Sequence, residues 1–214
     1  MKNMQIISWK ESWISTEEKV KTYIEVFGEA PWNEWWIDKE GNLYPLSFEN
    51  PDPSWEKYYN ADQMKQIWEQ RTLKEGYNEQ IAEVLLQDGA KECVWFALGW
   101  KTSLDELIQE KFKLDEAELT VLLDSLKEYN IDADSILFYA SEMGVKKQWR
   151  GQGLWSKLYD ARIQEVIQNS GKITCIVRTT KKNDVPYKRY LWKWFEEVYS
   201  YDDEQERVIL VNPM

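Results

Sequence analysis

The part of this sequence that most clearly suggests a binding or catalytic role is a glycine-rich stretch between residues 142 and 155. It reads Glu-Met-Gly-Val-Lys-Lys-Gln-Trp-Arg-Gly-Gln-Gly-Leu-Trp, and it joins a strand-like run to a helix-like one. Gly151 and Gly153 let the backbone turn without a Cβ in the way. The N–H groups of such a turn and the positive end of the helix dipole suit a phosphate or pyrophosphate. The alternative is a tight turn whose basic side chains are merely solvated.

Positive charge is concentrated around this stretch. The chain has a net charge of −11, yet residues 143–193 hold twelve Lys or Arg and only three Asp or Glu. We therefore expect an anionic ligand in this part of the chain. The acidic remainder, fifteen cations against thirty-five acids, argues against a long nucleic acid because the flanks would repel it.

The absence of histidine narrows the possible acid-base chemistry. Ser-His-Asp and Cys-His catalysis and His-ligated zinc are all excluded. An acid or base must be a carboxylate, a tyrosine, a lysine or water, and we expect no metal. Cys93 and Cys175 lie in apolar runs and are predicted to be buried, inert thiols. We find no 18-residue apolar window, so we expect a soluble protein of the cytoplasm with no membrane partner.

The elements that would position the stretch alternate between strand and helix patterns. Strands are predicted at 4–9, 81–86, 92–100, 136–143, 172–177, 198–201 and 207–211. Helices are predicted at 16–27, 61–74, 104–112, 116–129, 153–169 and 185–195, and 28–59 is predicted to be a long loop. We expect residues 1–214 to form a single α/β domain with a helical insertion at 103–130.

The phosphate motifs of other folds do not match the stretch. The sequence has no G-x-x-x-x-G-K-[ST] run, and its G-x-G lacks the third glycine of a dinucleotide fingerprint. The stretch instead resembles the acyl-CoA motif [QR]-x-x-G-x-[GA] of the GNAT superfamily of N-acyltransferases. Two registers fit: residues 148–153 match literally, whereas residues 150–155 keep the family's spacing from Val145 but place Trp155 at the last position.

A second segment adds to the resemblance. Asn183, Tyr190 and Phe195 keep the spacing of a following family segment, while Pro186, Arg189 and Trp194 depart from it. The resemblance covers about residues 80–211 and implies a mixed, largely antiparallel twisted sheet flanked by helices. Upstream, residues 31–34, Pro-Trp-Asn-Glu, resemble a loop that borders the acceptor pocket in a branch of the family, which implies a substrate role for Trp32 and Glu34.

The resemblance also implies roles for individual residues. The main-chain N–H near Val145 would polarise the acyl carbonyl, and the amides of Gln148 to Leu154 would hold the pyrophosphate of acetyl-CoA. The implied cofactor-binding residues are Met143, Gly144, Val145, Lys146, Gln148, Arg150, Gly151, Gln152, Gly153, Leu154 and Asn183. Tyr190 would hydrogen-bond or protonate the leaving sulfur, the alternative being a core aromatic.

The general base is left open by the sequence. Glu142 lies three residues before Val145 and is our candidate, while an amine that arrives deprotonated needs no base. Tyr139 stands where some relatives carry a catalytic residue and is a candidate substrate contact. Side chains alternate along a strand, so Tyr139 and Glu142 share a face only if a bulge intervenes.

Three functions compete on these observations. The first is an N-acyltransferase that moves acetyl from acetyl-CoA to a primary amine of a small molecule or peptide. The second is a non-catalytic acyl-CoA-binding domain of the same fold. The third is a nucleic-acid or carbohydrate binder that uses the basic segment or the tryptophans.

Overall fold

The computed structural model describes residues 4–27, 35–37, 39, 43–45, 54, 56–57, 61–86, 89–203 and 206–213. Its helices are α1 (Thr16–Phe27), α2 (Ala61–Thr72), α3 (Leu104–Leu107), α4 (Glu116–Lys127), α5 (Leu154–Ser170) and α6 (Asp184–Trp192). Its strands are β1 (Met4–Ser8), β2 (Trp35–Ile37), β3 (Leu43–Pro45), β4 (Glu56–Lys57), β5 (Asn78–Leu85), β6 (Lys91–Ser103), β7 (Ile136–Val145), β8 (Cys175–Thr180), β9 (Glu196–Ser200) and β10 (Arg207–Asn212). None of the helices in these ranges is long and apolar enough to cross a bilayer.

Seven of the strands form one mixed sheet in the order β1-β5-β6-β7-β8-β10-β9. β1 is antiparallel to β5, and β10 is antiparallel to both β8 and β9. β7 and β8 are parallel, and α5 connects them, because parallel neighbours need a crossover. The predicted mixed α/β sheet with flanking helices is confirmed.

The chain divides into two compact units. The first comprises residues 1–74, 78–98 and 142–162, and the second comprises 75–77, 99–141 and 163–214. In the first unit, the rings of Tyr23, Phe27, Trp68 and Phe96 pack with centroids 4.6 to 6.1 Å apart. This aromatic cluster joins α1, α2 and β6.

The second unit contains the predicted helical insertion. It consists of α3, a π-helical turn over Ile108–Phe112, and α4. Asp115 and Glu118 form a reciprocal capping box at the start of α4, with N–H···O distances of 2.9 and 2.8 Å. The insertion is confirmed, and its second helix ends two residues earlier than predicted.

Several boundaries differ from the sequence predictions. The short strands β2, β3 and β4 form a three-stranded sheet within the segment predicted to be loop. β5 begins at Asn78 rather than at residue 81, because polar Asn78, Glu79 and Gln80 are buried in the sheet. β8 runs from 175 to 180 rather than 172 to 177, since β10 pairs with it along that whole length.

Candidate functional site

The strand β7 changes its hydrogen-bonding side along its length. The N–H of Phe138 donates to the carbonyl of Thr174, next to β8, at 2.9 Å, whereas the N–H of Lys146 donates to Val94 of β6 at 3.1 Å. In a regular strand, residues an even number apart direct their N–H groups to the same side. Residues 138 and 146 are eight apart, so the regular alternation is interrupted between Phe138 and Lys146, the residue that directly follows β7. By local alternation, the N–H of Val145 points away from β6.

The ladder between β7 and β8 is short. In the described ranges it consists of two pairs, Phe138 with Cys175 and Tyr139 with Ile176. On its other side, β8 pairs with β10 along its whole length, from Cys175 to Thr180. The backbone of Ala140 and Ser141, which follow in β7, therefore has no rung on β8 in the part of the chain described.

The glycine-rich stretch forms a turn that leads into α5. Two N–H groups of the stretch are used in a 3-10 turn at Lys147–Trp149. The N–H of Trp149 donates to the carbonyl of Lys146 at 2.9 Å, and the N–H of Arg150 donates to that of Lys147 at 3.2 Å. Gly151 and Gly153 have φ angles of 81° and 70°, which glycine adopts readily and other residues rarely. α5 then begins at Leu154.

Three backbone donors in this turn face solvent. Residues 151 to 153 are exposed, and among the described residues no hydrogen bond uses the N–H of Gly151, Gln152 or Gly153. The first N–H groups of α5 follow directly, and they also lack intrahelical acceptors. The consecutive donors and the helix dipole make a polar surface suited to an anion. We call residues 151 to 154 the amide turn.

Space around the amide turn is open. A Cβ added to Gly151 or Gly153 would meet no atom within 4 Å. The indole of Trp155 does not fill this space, since it is 7% exposed and stacks on the Tyr159 ring, with centroids 5.4 Å apart and planes 4° apart. The departure from the family pattern at residue 155 thus leaves the turn accessible.

Lys146 does not contribute its charge to the amide turn. Its side chain is buried, and its ammonium lies 3.0 Å from Glu92, 3.3 Å from Glu25 and 3.8 Å from Glu18. Burial alone would lower the pKa of Lys146, but the hydrogen bond to Glu92 and the charge of Glu25 raise it overall. The N–H of Lys146 is also bonded to the carbonyl of Val94. The cofactor-binding role expected of Lys146 stays a prediction.

The neighbouring predicted residues have different surroundings. Lys147, Gln148 and Arg150 are exposed, and Arg150 Nε donates to the carbonyl of Val145 at 3.1 Å, which closes the turn on itself. Gly144 is buried: a Cβ there would lie 2.7 Å from Val26 and 3.1 Å from Phe96. Gly144 therefore allows close packing of α1 on β7 and offers no surface to a ligand.

The Glu142 carboxylate is held by an arginine that the sequence did not indicate. Arg71, in the last turn of α2, donates from both terminal nitrogens to the two carboxylate oxygens, at 2.5 and 2.7 Å. The two side chains are 13% and 17% exposed. A bidentate pair of this kind fixes the plane of the carboxylate and occupies one lone pair on each oxygen.

Three of the remaining predicted residues, Tyr139, Asn183 and Tyr190, belong to the second unit. Tyr139 is buried and meets the rings of Trp100 and Phe112 edge to face, at 5.4 and 6.4 Å. Tyr190 is buried against Phe195, with centroids 5.1 Å apart. Asn183 is the N-cap residue of α6, and its side chain makes no capping hydrogen bond. Their functional roles stay predictions, as do those of Trp32 and Glu34, which lie outside the described residues.

We next consider whether the cysteines could act as nucleophiles and whether any side chains could hold a metal ion. Cys93 and Cys175 are both buried, as predicted, and burial raises the pKa of the Cys93 thiol to about 12. A thiol with that pKa is a poor nucleophile at neutral pH. Within the ranges described, no three His, Cys, Asp or Glu side chains are grouped to hold a metal ion.

Solved structures share this arrangement of strands and helices. The NatC complex bound to Gag peptide and CoA matches with a TM-score of 0.55 and 11% identity, over 99% of this chain and 99% of that one. A GCN5-related glucosamine N-acetyltransferase region of a fungal multidomain β-N-acetylglucosaminidase matches with a TM-score of 0.52 and 10% identity, over 95% of this chain and 18% of that one. The chain has the GNAT fold.

The structures that share this fold have little sequence identity with the chain. A protein from Pyrococcus horikoshii OT3 matches over 99% of both chains with a TM-score of 0.55 but only 13% identity. No protein-family model matches the sequence, and no curated protein matches it. At such identities the likeness defines the fold, and the chemistry has to be argued from the residues.

Proposed function

We propose that the chain binds acetyl-CoA and transfers its acetyl group to a primary amine of a small molecule or peptide. The observation that carries this proposal is the amide turn: exposed N–H groups at positive-φ glycines, open space above them, and the start of α5 directly behind. A pyrophosphate is the part of CoA that this surface fits. The position of the turn after β7 of a GNAT fold supports the same assignment.

The proposed reaction is a nucleophilic acyl transfer. The neutral amine nitrogen attacks the thioester carbon, the C–N bond forms and the C–S bond breaks. The amine loses a proton, and the departing thiolate gains one. The Val145 N–H, which points away from β6, would donate to the carbonyl oxygen as negative charge develops there. One donor aimed in this way contributes about 3 kcal/mol to the transition state.

Gln148 and residues 151 to 154 would bind the pyrophosphate, mainly through backbone amides. Met143 and Val145 would bind the acyl and pantetheine portion through their backbone. Asn183 and Tyr190 are carried over from the resemblance, Tyr190 as the proton donor to sulfur. Trp32, Glu34 and Tyr139 are proposed to contact the acceptor.

Glu142 is proposed as the base that takes the amine proton, directly or through water. Its bidentate bond to Arg71 orients the carboxylate and leaves one lone pair on each oxygen for this task. An amine that arrives deprotonated would bypass it. The Glu142→Gln variant separates these two routes, because it can still bond Arg71 through its amide oxygen. If Glu142 is the base, kcat/KM falls about a hundredfold while the Kd for acetyl-CoA is unchanged.

A non-catalytic acyl-CoA-binding domain is the second candidate. The Glu142–Arg71 pair favours it, because the same contact also serves to anchor α2 to β7 without any chemistry. The two candidates differ in turnover and not in ligand.

The experiment combines calorimetric titration of acetyl-CoA with thiol release over a panel of small amines and peptides. Binding together with amine-dependent thiol release supports the transferase. Binding without release for any amine supports the non-catalytic domain. Absence of binding to acetyl-CoA, with salt-sensitive binding of RNA, contradicts both.

A further inference from the structure

The end of α6 has an unusual residue in a left-handed position. Trp194 has a φ of 66°. Its N–H donates to the carbonyl of Leu191 at 3.1 Å, and the N–H of Phe195 donates to that of Tyr190 at 3.1 Å. These two bonds define a Schellman motif, in which the left-handed position is usually glycine. A tryptophan there is strained, and such strain persists only where the surroundings impose it.

Other contacts of the second unit hold this turn in place. The Asn212 side chain donates to the carbonyl of Lys193 at 2.9 Å, and the rings of Tyr190 and Phe195 pack on each other beneath the turn. Trp194 itself takes no part in that packing core, because it is 82% exposed. The strained backbone therefore places an indole on the surface, and burial of that indole does not offset the strain.

Other large apolar residues of α6 are also exposed. Val185 is 59% exposed, Leu191 39% and Trp192 77%, so four of the large apolar residues between 185 and 194 face solvent. Val185 and Trp192 lie at i and i+7 on one side of the helix, about 10 Å apart along its axis. We call the exposed side chains of Val185, Leu191, Trp192 and Trp194 the α6 patch.

Basic residues are frequent in the segment that carries the α6 patch. Of the five charged residues from 182 to 193, four are cations: Lys182, Lys188, Arg189 and Lys193. The fifth, Asp184, pairs with Lys188 at 2.8 Å, but both side chains are more than 60% exposed, so this pair is weak. Residues 182 to 193 thus carry net positive charge and include the exposed Trp192, and the exposed Trp194 follows them.

We infer that the α6 patch binds an anionic lipid surface. Tryptophan prefers the interface of a bilayer, and lysine reaches from there to the headgroups with its charged end. Protein interfaces instead favour arginine and are poor in lysine, and three of the four cations here are lysines. Pairing of two copies through the same patch would bring like charges together. The expectation of no membrane partner rested on spanning segments alone, and this inference revises it.

Cosedimentation of the full chain with vesicles tests the inference. Vesicles of phosphatidylcholine alone are compared with vesicles of equal parts phosphatidylcholine and phosphatidylglycerol. We expect binding to the anionic vesicles only, weakened by added salt. Trp194→Gly should lower the partition coefficient about tenfold, because it removes one interfacial indole.

Two properties of the variants keep the result interpretable. Trp194→Gly relieves strain, so loss of binding cannot be ascribed to unfolding when its melting temperature does not fall. Trp13→Ala is the matched control, since Trp13 is 86% exposed in the other unit and should leave partitioning unchanged. Failure to sediment with either vesicle, or equal sedimentation of Trp194→Gly, overturns the lipid assignment. So does a Trp194-dependent larger species in size-exclusion chromatography without vesicle binding, which would indicate a protein contact.

Discussion

Two turns of this protein place residues in the same left-handed backbone conformation and present opposite surfaces. In the amide turn, Gly151 and Gly153 have φ angles of 81° and 70°, and the missing side chains leave backbone N–H groups bare. At the end of α6, Trp194 has a φ of 66°, and a large side chain stands where glycine would be less strained. Glycine thus exposes polar backbone groups to solvent, whereas tryptophan exposes an indole.

This comparison gives a way to interpret positive-φ positions in a GNAT fold. The backbone conformation alone indicates only that a turn is required there. The residue that occupies it indicates which group the surface offers. Each of the three predictions below changes either the residue at such a turn or a charge near it in the sequence.

The largest effect is expected for the double variant Gly151→Ala and Gly153→Ala. The new methyl groups would meet no other residue within 4 Å in the free protein, so apart from the backbone strain of a positive φ, any steric conflict must come from the ligand. If the amides there bind the pyrophosphate, two charge-assisted hydrogen bonds are lost and the Kd for CoA rises about a hundredfold. Calorimetric titration measures this change.

Gly171→Ala is the matched control for that variant. Gly171 has a φ of 71° and also has nothing within 4 Å of an added Cβ, but it follows the opposite end of α5. It should lose about 1 kcal/mol of stability, roughly half of the loss in the double variant, and keep its affinity for CoA. An equal loss of affinity in Gly171→Ala would mean that backbone strain, and not the ligand contact, explains the result.

A smaller effect, on stability and not on CoA affinity, is expected for Lys146→Met. This change leaves Glu18, Glu25 and Glu92 without their shared cation, and unfolding should become easier by about 2 kcal/mol. Because the folded state raises the pKa of Lys146, its contribution is complete below the ordinary value of 10.5 and disappears at higher pH. Chemical denaturation at several pH values measures both.

Lys147→Met, one residue along, should change stability by less than about 0.5 kcal/mol, since Lys147 is exposed. Affinity for CoA should be nearly unchanged in Lys146→Met. A large loss of CoA affinity there would show that the buried ammonium acts on the ligand, against the division of roles described above.

The smallest effect is expected at the end of α6, where one substitution should raise the stability of the protein. Trp194→Gly should stabilise the protein by about 1 kcal/mol, because glycine adopts a positive φ without strain. Trp192→Gly, two residues earlier and inside the helix, should destabilise it by a similar amount. Thermal unfolding of the two variants measures the difference, and equal shifts in the same direction would refute the strain at Trp194.

Local signals in the sequence predicted much of the fold. α1 begins and ends at the predicted residues, and the N–H of Glu18 does donate to the Ser15 hydroxyl at its start, at 3.2 Å. The two helices of the insertion were likewise given by their apolar spacing. In contrast, α6 ends three residues before its predicted end. The sequence did not indicate this end, because the left-handed position of its Schellman motif is occupied by Trp194 and not by the usual glycine.

The candidate site was predictable in part for the same reason. The glycines of the amide turn are a local signal, and both have the positive φ angles that justify them. The contacts of Lys146 and Glu142 are long-range: Arg71 is 71 residues from Glu142, and the acids around Lys146 come from α1 and β6. No periodicity or spacing indicates such partners, so the sequence did not show that Lys146 and Glu142 form these ion pairs.

The central claim is that backbone amides at residues 151 to 154 bind the pyrophosphate of acetyl-CoA. Its most direct test is a calorimetric titration of the wild type and of Gly151→Ala/Gly153→Ala with acetyl-CoA and with acetyl-pantetheine, which lacks the pyrophosphate. We predict that the wild type binds acetyl-CoA far more tightly, and that the variant loses this advantage while its affinity for acetyl-pantetheine is unchanged. If the variant weakens both ligands equally, or the wild type does not distinguish them, the claim is contradicted.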